Sequence, residues 1–236
     1  MELILFKTGV LVVVSFLRLC VAVPLIMTAR RNRLTNLYWL SAQFLALVIA
    51  LPFAATGAMN NPWIFWTFIS LSEIALILFV QTTFYRGSTT PMLVLMVLAV
   101  LGLGGGLYGN AVGNFELSAW LVYPNAIWIW GWHAMVAYQA YRGIANERFT
   151  EDWVKARYKL MITYSILDCL GAIGGTALTT GWWVSSIGSL IIVAINVASV
   201  TMQILVWVMP EWFRRWLNRN YQPIQMEDAE FNEERS

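Results

Sequence analysis

Apolar stretches about as long as a membrane-spanning helix follow one another along almost the whole chain. A helix needs roughly 20 residues to cross about 30 Å of hydrocarbon, which is far longer than a barrel strand. Seven stretches fit this length, at residues 3–28, 37–59, 63–85, 92–109, 119–141, 158–179 and 183–209. Charged residues make up only 12% of the chain, against about 25% in a soluble domain. The sequence therefore predicts an all-α integral membrane protein, folded as a seven-transmembrane-helix bundle.

Basic residues lie at only one end of this predicted bundle. Of the fifteen Lys and Arg residues, all except Lys7 and Arg18 follow the first, third, fifth or seventh stretch. The loops at the other end, residues 60–62, 110–118 and 180–182, contain none. The positive-inside rule then predicts an outside N-terminus and a cytoplasmic C-terminus. We expect a multi-pass protein of the plasma (cytoplasmic) membrane.

Composition divides the chain into three regions. Residues 1–209 form the predicted seven-helix transmembrane domain. Residues 210–220 begin at Pro210 and place Trp212 and Trp216 on one side of a short helix, with arginines on the other. This pattern predicts an amphipathic helix on the inner leaflet. Residues 221–236 are acidic and are predicted to be disordered.

Polar side chains inside the apolar stretches are the strongest indication of a functional site. At 1.5 Å per residue, five of them lie roughly 12–20 Å from the cytoplasmic ends of their helices: Arg18, Glu73, His133, Asp168 and Asn196. Buried charges in membranes usually pair or mark ligand and proton pathways. We predict a connected polar layer with an ion pair from Arg18 to Asp168 or Glu73. A structural clasp that fixes helix register is the alternative.

Tryptophans flank this layer on the fifth stretch. Trp128 and Trp132 are predicted to share a helix face, with Trp130 pointing elsewhere, and Pro124 can kink the helix above them. An aromatic-lined pocket could hold a flat apolar ligand or a cation, although Trp residues that pack or face lipid are the alternative. The predicted ligand-binding residues are Arg18, Glu73, Trp128, Trp132, His133, Asp168 and Asn196.

Glycines on the fourth stretch predict close helix packing. Three overlapping pairs have the small-xxx-small spacing that lets helix backbones approach: Gly102 and Gly106, Gly105 and Gly109, and Gly109 and Gly113. The contact could form within one bundle or between two copies of the chain.

Motifs for cofactors, metals and nucleic acids are missing. A single His and two Cys, at Cys20 and Cys169, give no metal-ligand set, and there is no phosphate-binding loop or nucleic-acid surface. Residues 194–199 look similar to the last helix of microbial rhodopsins. That family carries retinal on a Lys in this helix, and the seventh stretch has no Lys. We expect no metal and no cofactor.

Three functions remain compatible with the sequence. The first is a seven-helix sensor or receptor-like protein that binds a small apolar ligand or senses protonation and signals through a cytoplasmic or membrane partner. The second is a membrane-embedded enzyme of acid-initiated isoprenoid chemistry, by analogy with seven-span terpene cyclases, with Glu73 and Asp168 as catalytic acids. The third is an accessory subunit of a larger membrane complex. Ligand identity, oligomeric state and the choice among these functions stay open.

Overall fold

The computed structural model describes residues 2–55, 62–84, 89–147, 150–177 and 187–220. The regular secondary structure of these residues is entirely helical, which confirms the predicted all-α class. The helices are α1 Glu2–Asn32, α2 Thr35–Ala55, α3 Pro62–Phe84, α4 Thr90–Ala111, α5 Phe115–Ile144, α6 Asp152–Ala177, α7 Ile187–Trp207 and α8 Glu211–Leu217, followed by a 3₁₀ helix, Asn218–Asn220.

Each of the seven predicted stretches overlaps one of the long helices α1–α7. The largest difference in the described residues is at α6, which begins at Asp152, six residues before the apolar stretch starts. The extension includes the charged residues Asp152, Lys155 and Arg157. The predicted helix ends at residues 56–59, 178–179 and 183–186, and the acidic tail 221–236, lie outside the described residues.

Four helical segments of the described residues are long and apolar enough to cross a membrane. They are Val12–Asn32, Trp63–Phe84, Thr90–Ala111 and Leu190–Trp207. The apolar segment Thr35–Ala50 of α2 is shorter. α5 is less apolar because its interior contains Asn125, His133 and several tryptophans. These segments support a membrane protein with transmembrane helices.

The seven long helices form a closed ring. Each helix from α1 to α6 packs against the next one in chain order, and α7 packs against α1. α5 also contacts α3 across the ring. The largest cluster of buried apolar residues fills the space among α1–α5 and includes Leu25, Phe44, Ile77, Ile129 and Val136. The ring thus encloses the interior in which polar side chains would be shielded from lipid.

The glycines of α4 bring it close to α5 within the same chain. A Cβ atom at Gly109 would lie 2.6 Å from the backbone nitrogen of Ser118, and one at Gly106 would lie 2.9 Å from Cγ2 of Val122. The Ser118 hydroxyl donates to the carbonyl of Gly106 at 2.9 Å. Of the two contacts considered for these glycines, the structure shows the one inside the bundle.

Candidate functional site

The carboxylate of Asp168 is the centre of a hydrogen-bonded cluster between α6 and α7. Ser199 Oγ donates to Oδ1 at 2.7 Å, and Gln203 Nε2 donates to Oδ2 at 2.9 Å. Gln203 Nε2 also lies 3.1 Å from Ser199 Oγ. Both donors come from one face of α7 and are fully buried. Because the acceptor is a carboxylate, these bonds are of the stronger, charge-assisted kind. We call Arg18, Asp168, Ser199 and Gln203 the Asp168 cluster.

Arg18 on α1 belongs to this cluster through its charge. Its side chain is 4% exposed, and Asp168 is the carboxylate whose charge acts on it. The predicted direct ion pair is wrong, because no carboxylate oxygen of the described residues lies within 4.0 Å of its nitrogens. Ser199 and Gln203 already occupy the Asp168 oxygens, and α1 packs on α2 and α7. Within the described part of the chain, Nε and Nη1 of Arg18 have no hydrogen-bond partner.

His133 on α5 is fully buried and is held by Ser165 of α6. The distance from His133 Nδ1 to Ser165 Oγ is 2.8 Å. The Ser165 hydroxyl donates its proton to the carbonyl of Met161 at 2.7 Å, so it accepts from the imidazole. This arrangement assigns the ring proton to Nδ1 and leaves Nε2 as an acceptor, without a partner among the described residues. Aromatic rings surround the imidazole, with centroid distances of 6.4, 5.9 and 5.6 Å to Phe79, Trp130 and Tyr164.

α6 brings the His133 pair and the Asp168 cluster next to each other. Ser165 and Asp168 lie three residues apart, which places them on one face of the helix. The hydrogen bonds of the described residues do not join the two groups. The predicted single polar network is therefore two adjacent clusters that share α6.

Glu73 on α3 is separate from both clusters. Its side chain is 3% exposed, and neither carboxyl oxygen has a hydrogen-bond partner in the residues that the structure describes. Ser70, one turn earlier on α3, is fully buried, and its hydroxyl is likewise unpartnered there. The charge of Glu73 acts on Tyr123 of α5, whose ring lies 5.9 Å from that of Trp66.

The remaining predicted site residues occupy three different environments. Trp132 is buried in the core among α1–α5. Trp128 is 67% exposed on the outer surface of the bundle, so it does not line the interior, and Trp130 contacts His133 instead. The amide of Asn196 is half-buried and donates to the carbonyl of Ile192 on its own helix at 3.0 Å.

The predicted set of site residues omits three side chains that hold the site together. Ser165, Ser199 and Gln203 are the direct partners of His133 and Asp168. Their spacing was a usable signal. Ser165 precedes Asp168 by three residues, and Ser199 precedes Gln203 by four, so each pair shares a helix face.

A third polar cluster joins α8 and the residues after it to the start of α6. Glu151 Oε2 accepts hydrogen bonds from Asn218 Nδ2 and from Trp153 Nε1, both at 2.6 Å. The backbone nitrogen of Trp153 donates to Asn218 Oδ1 at 3.2 Å. The Arg214 guanidinium lies 4.8 Å from the Trp153 ring centroid and 3.8 Å from the Glu151 carboxylate. We call these four residues the Glu151 clamp. The hydrogen bonds from Asn218 and Trp153 hold the pKa of Glu151 below its usual range.

α8 therefore has one side fixed to α6 and another side exposed. Trp212 and Trp216 are 67% and 53% exposed, and the Trp216 ring stacks on that of Phe213. The amphipathic segment predicted at residues 210–220 is helical here. Its position on a membrane surface stays a prediction.

The described residues contain no group of three or more His, Cys, Asp or Glu that could hold a metal ion. No known protein family, no curated protein and no solved structure matches this chain.

Proposed function

We propose that the protein is a multi-pass membrane sensor of the receptor-like type, in which all seven long helices span the bilayer. Four segments have the required length and apolarity, and the ring places the other long helices beside them. Basic residues lie where α1, α5 and α7 end and where α6 begins. By the positive-inside rule this end faces the cytoplasm, which fits an outside N-terminus and the plasma membrane.

The main support for the proposal is that several buried polar atoms in the two clusters have no hydrogen-bond partner. In the described residues, Nε and Nη1 of Arg18 are free donors, and Oε1 of Gln203 and Nε2 of His133 are free acceptors. Folded proteins satisfy about 90% or more of such buried groups. A small, largely apolar ligand with a few polar atoms would satisfy these groups, and its body would fit the aromatic rings around His133. Protonation of the same groups is the other form of signal.

α6 and α7 connect this site to the basic end of the bundle. α6 carries Ser165 and Asp168 in its middle and Trp153 of the Glu151 clamp in its first turn. α7 carries Ser199 and Gln203 and leads into α8. A change in the site that shifts α6 against α7 therefore reaches the Glu151 clamp. We propose that a cytoplasmic or membrane protein partner recognises this end beside the lipid headgroups, and we expect no nucleic-acid partner.

Hydrogen exchange at the start of α6 tests this coupling. The backbone amide of Trp153 is bonded to Asn218, so its protection reports whether the clamp is closed. The change is His133→Phe, which keeps an aromatic ring and removes both ring nitrogens. We expect faster exchange in the first turn of α6 in the purified, lipid-reconstituted protein.

The matched control is Trp128→Phe, because this side chain lies on the outside of the same helix. The control should exchange like the unmodified protein. If His133→Phe is folded and leaves the exchange of α6 unchanged, the buried clusters act as a structural clasp. An accessory subunit of a membrane complex would then be the better description.

A membrane enzyme of acid-initiated isoprenoid chemistry is the second candidate, and the environment of Glu73 is the observation that favours it. The oxygens of Asp168 accept two hydrogen bonds, whereas the carboxyl of Glu73 is buried and accepts none within the described residues. Glu73 is therefore the better proton donor of the two. Conversion of a polyprenyl substrate by the protein, abolished in Glu73→Gln, would support this candidate. The absence of turnover with a panel of such substrates would count against it.

A further inference from the structure

The carboxyl group of Glu73 is a buried polar group whose surroundings do not account for its burial. It lies on the face of α3 that also carries Trp66 and Ser70, and it is 3% exposed. Within the described residues, both of its oxygens and the Ser70 hydroxyl have no hydrogen-bond partner. Buried polar atoms of this kind usually indicate a missing ligand, water or proton.

Charged groups near Glu73 are missing from the helices packed against it. α3 has no other charged residue, and the described sequences of α2 and α4 contain none. Their tyrosines, Tyr38 and Tyr108, are exposed on the outside. From α5, Tyr123 is the titratable group on which the charge of Glu73 acts, while His133 is hydrogen-bonded to Ser165. A carboxylate with neither a cation nor a donor is strongly disfavoured inside a membrane.

We infer that Glu73 is a proton-binding site of its own, separate from the Asp168 cluster, and that release of its proton tightens the contact between α3 and α5. This inference rests on the proposed function in one respect, because it names a group that would sense protonation. The site takes no ligand other than the proton.

We infer that the hydroxyl groups of Ser70 and Tyr123 respond to the protonation state of Glu73. With the proton bound, the neutral carboxylic acid needs no charged partner. When the O–H bond breaks, the proton passes to water and the electron pair stays on the carboxylate. The carboxylate then needs donors, which Ser70 on the same helix and Tyr123 across the contact can supply. A bond from Tyr123 would join α3 to α5 in the deprotonated state only.

Infrared difference spectroscopy of the full chain in lipid nanodiscs tests this inference, with pH as the only variable. A neutral carboxyl group has a carbonyl-stretching band that a carboxylate lacks. At neutral pH we expect this band in the unmodified protein and its loss in Glu73→Gln. Glu116→Gln, which removes an exposed carboxyl group at the start of α5, should keep the band.

Tyr123→Phe tests the second half of the inference. Removing the hydroxyl takes a donor from the charged state only, so the band should persist to a pH higher by about one unit. Because this variant keeps the carboxyl group, it also serves as the test if Glu73→Gln does not fold.

Two results would overturn the inference. A spectrum that is identical in Glu73→Gln and the unmodified protein at neutral pH would mean that Glu73 is ionised and has a cation partner. An unchanged titration in Tyr123→Phe would remove the coupling to α5. These outcomes are distinct from failure of the sensor proposal, which depends on the exchange of α6 after a change at His133.

Discussion

Asp168→Asn and Glu73→Gln make the same chemical change in two different environments, and we expect very different losses of stability. Each change replaces one oxygen of a carboxyl group by an amide nitrogen without altering the shape of the side chain. Asp168 accepts hydrogen bonds from Ser199 and Gln203 and compensates the charge of Arg18. Glu73 accepts none from the described residues.

The magnitude for Asp168→Asn follows from the contacts that are lost. The amide keeps one acceptor oxygen and turns a donor toward one of the two donors on α7, so at least one bond between α6 and α7 is lost. Interhelical hydrogen bonds in membranes contribute about 0.6 kcal/mol on average and up to about 1.7. Leaving a buried charge such as Arg18 without its partner costs up to about 3–5 kcal/mol. Since Arg18 has no direct ion pair, we expect a total loss of about 2–4 kcal/mol.

Reversible unfolding in mixed micelles, followed by circular dichroism, measures both variants. Glu73→Gln should change the free energy of unfolding by less than about 1 kcal/mol, because it loses no bond made by a described residue. Ser199→Ala, which removes one donor and keeps the carboxylate, should lie between the two at about 0.6–1.7 kcal/mol. Equal losses for Asp168→Asn and Glu73→Gln would refute the argument, and so would an Asp168→Asn protein as stable as the original.

Three further predictions concern packing and the basic end of the bundle. Gly109→Ala should cost about 1–3 kcal/mol through overpacking against Ser118, whereas Gly104→Ala, with nothing within 4 Å of the new Cβ, should be neutral or stabilising when unfolding is measured in the same way. Glu151→Gln should speed amide exchange at Trp153 at neutral pH, because the charged acceptor of Asn218 and Trp153 is lost; an unchanged rate would show that the clamp does not depend on this charge. In the unmodified protein the clamp should be fully formed above pH 4.5, the ordinary pKa of Glu151, and should be lost as the pH falls through its lowered pKa; opening on raising the pH would contradict the sign.

The helices could be predicted from the sequence because the thickness of hydrocarbon sets their minimum length. That constraint depends on a count of consecutive apolar residues, and in the described residues segments of α1, α3, α4 and α7 meet it. Depth along a helix could be estimated in the same way, at a fixed rise per residue. Arg18, Glu73 and His133 are accordingly buried in the bundle, and Asp168 is half-buried.

Rotation about the helix axis could not be predicted, and the errors at the site come from it. α5 is apolar and aromatic nearly all round, so no single face is marked as the interior face. The sequence therefore does not show that Trp130 faces His133. It also does not show that Trp128 is exposed although it lies one turn before the buried Trp132. The predicted ion pair of Arg18 is wrong for a similar reason. The depth of a residue along its helix does not show which helices are neighbours or which donors form hydrogen bonds with Asp168.

The packing of α8 against α6 also depends on tertiary structure, which the spacing of apolar residues in the sequence does not predict. The spacing of Trp212 and Trp216 indicates an amphipathic helix, but the partner of its polar side is decided by where α6 begins. Asn218 caps the first turn of α6, and Arg214 lies on the Trp153 ring. In the sequence these residues are more than 60 positions apart, so their contact follows only from the ring of helices.

Together, the Asp168 cluster and the Glu151 clamp attach α6 to the continuous segment formed by α7 and α8 at two points. One point lies in the middle of α6, at Asp168, and the other lies in its first turn, at Trp153. If α6 moves along α7, the hydrogen bonds of the Asp168 cluster and those of the Glu151 clamp must both break, because each joins α6 to the segment that α7 and α8 form. Movements that break several contacts together tend to be two-state rather than gradual. A change at His133, which is bonded to Ser165 between these points, would therefore act on α6 as a whole and reach α8 in a single step.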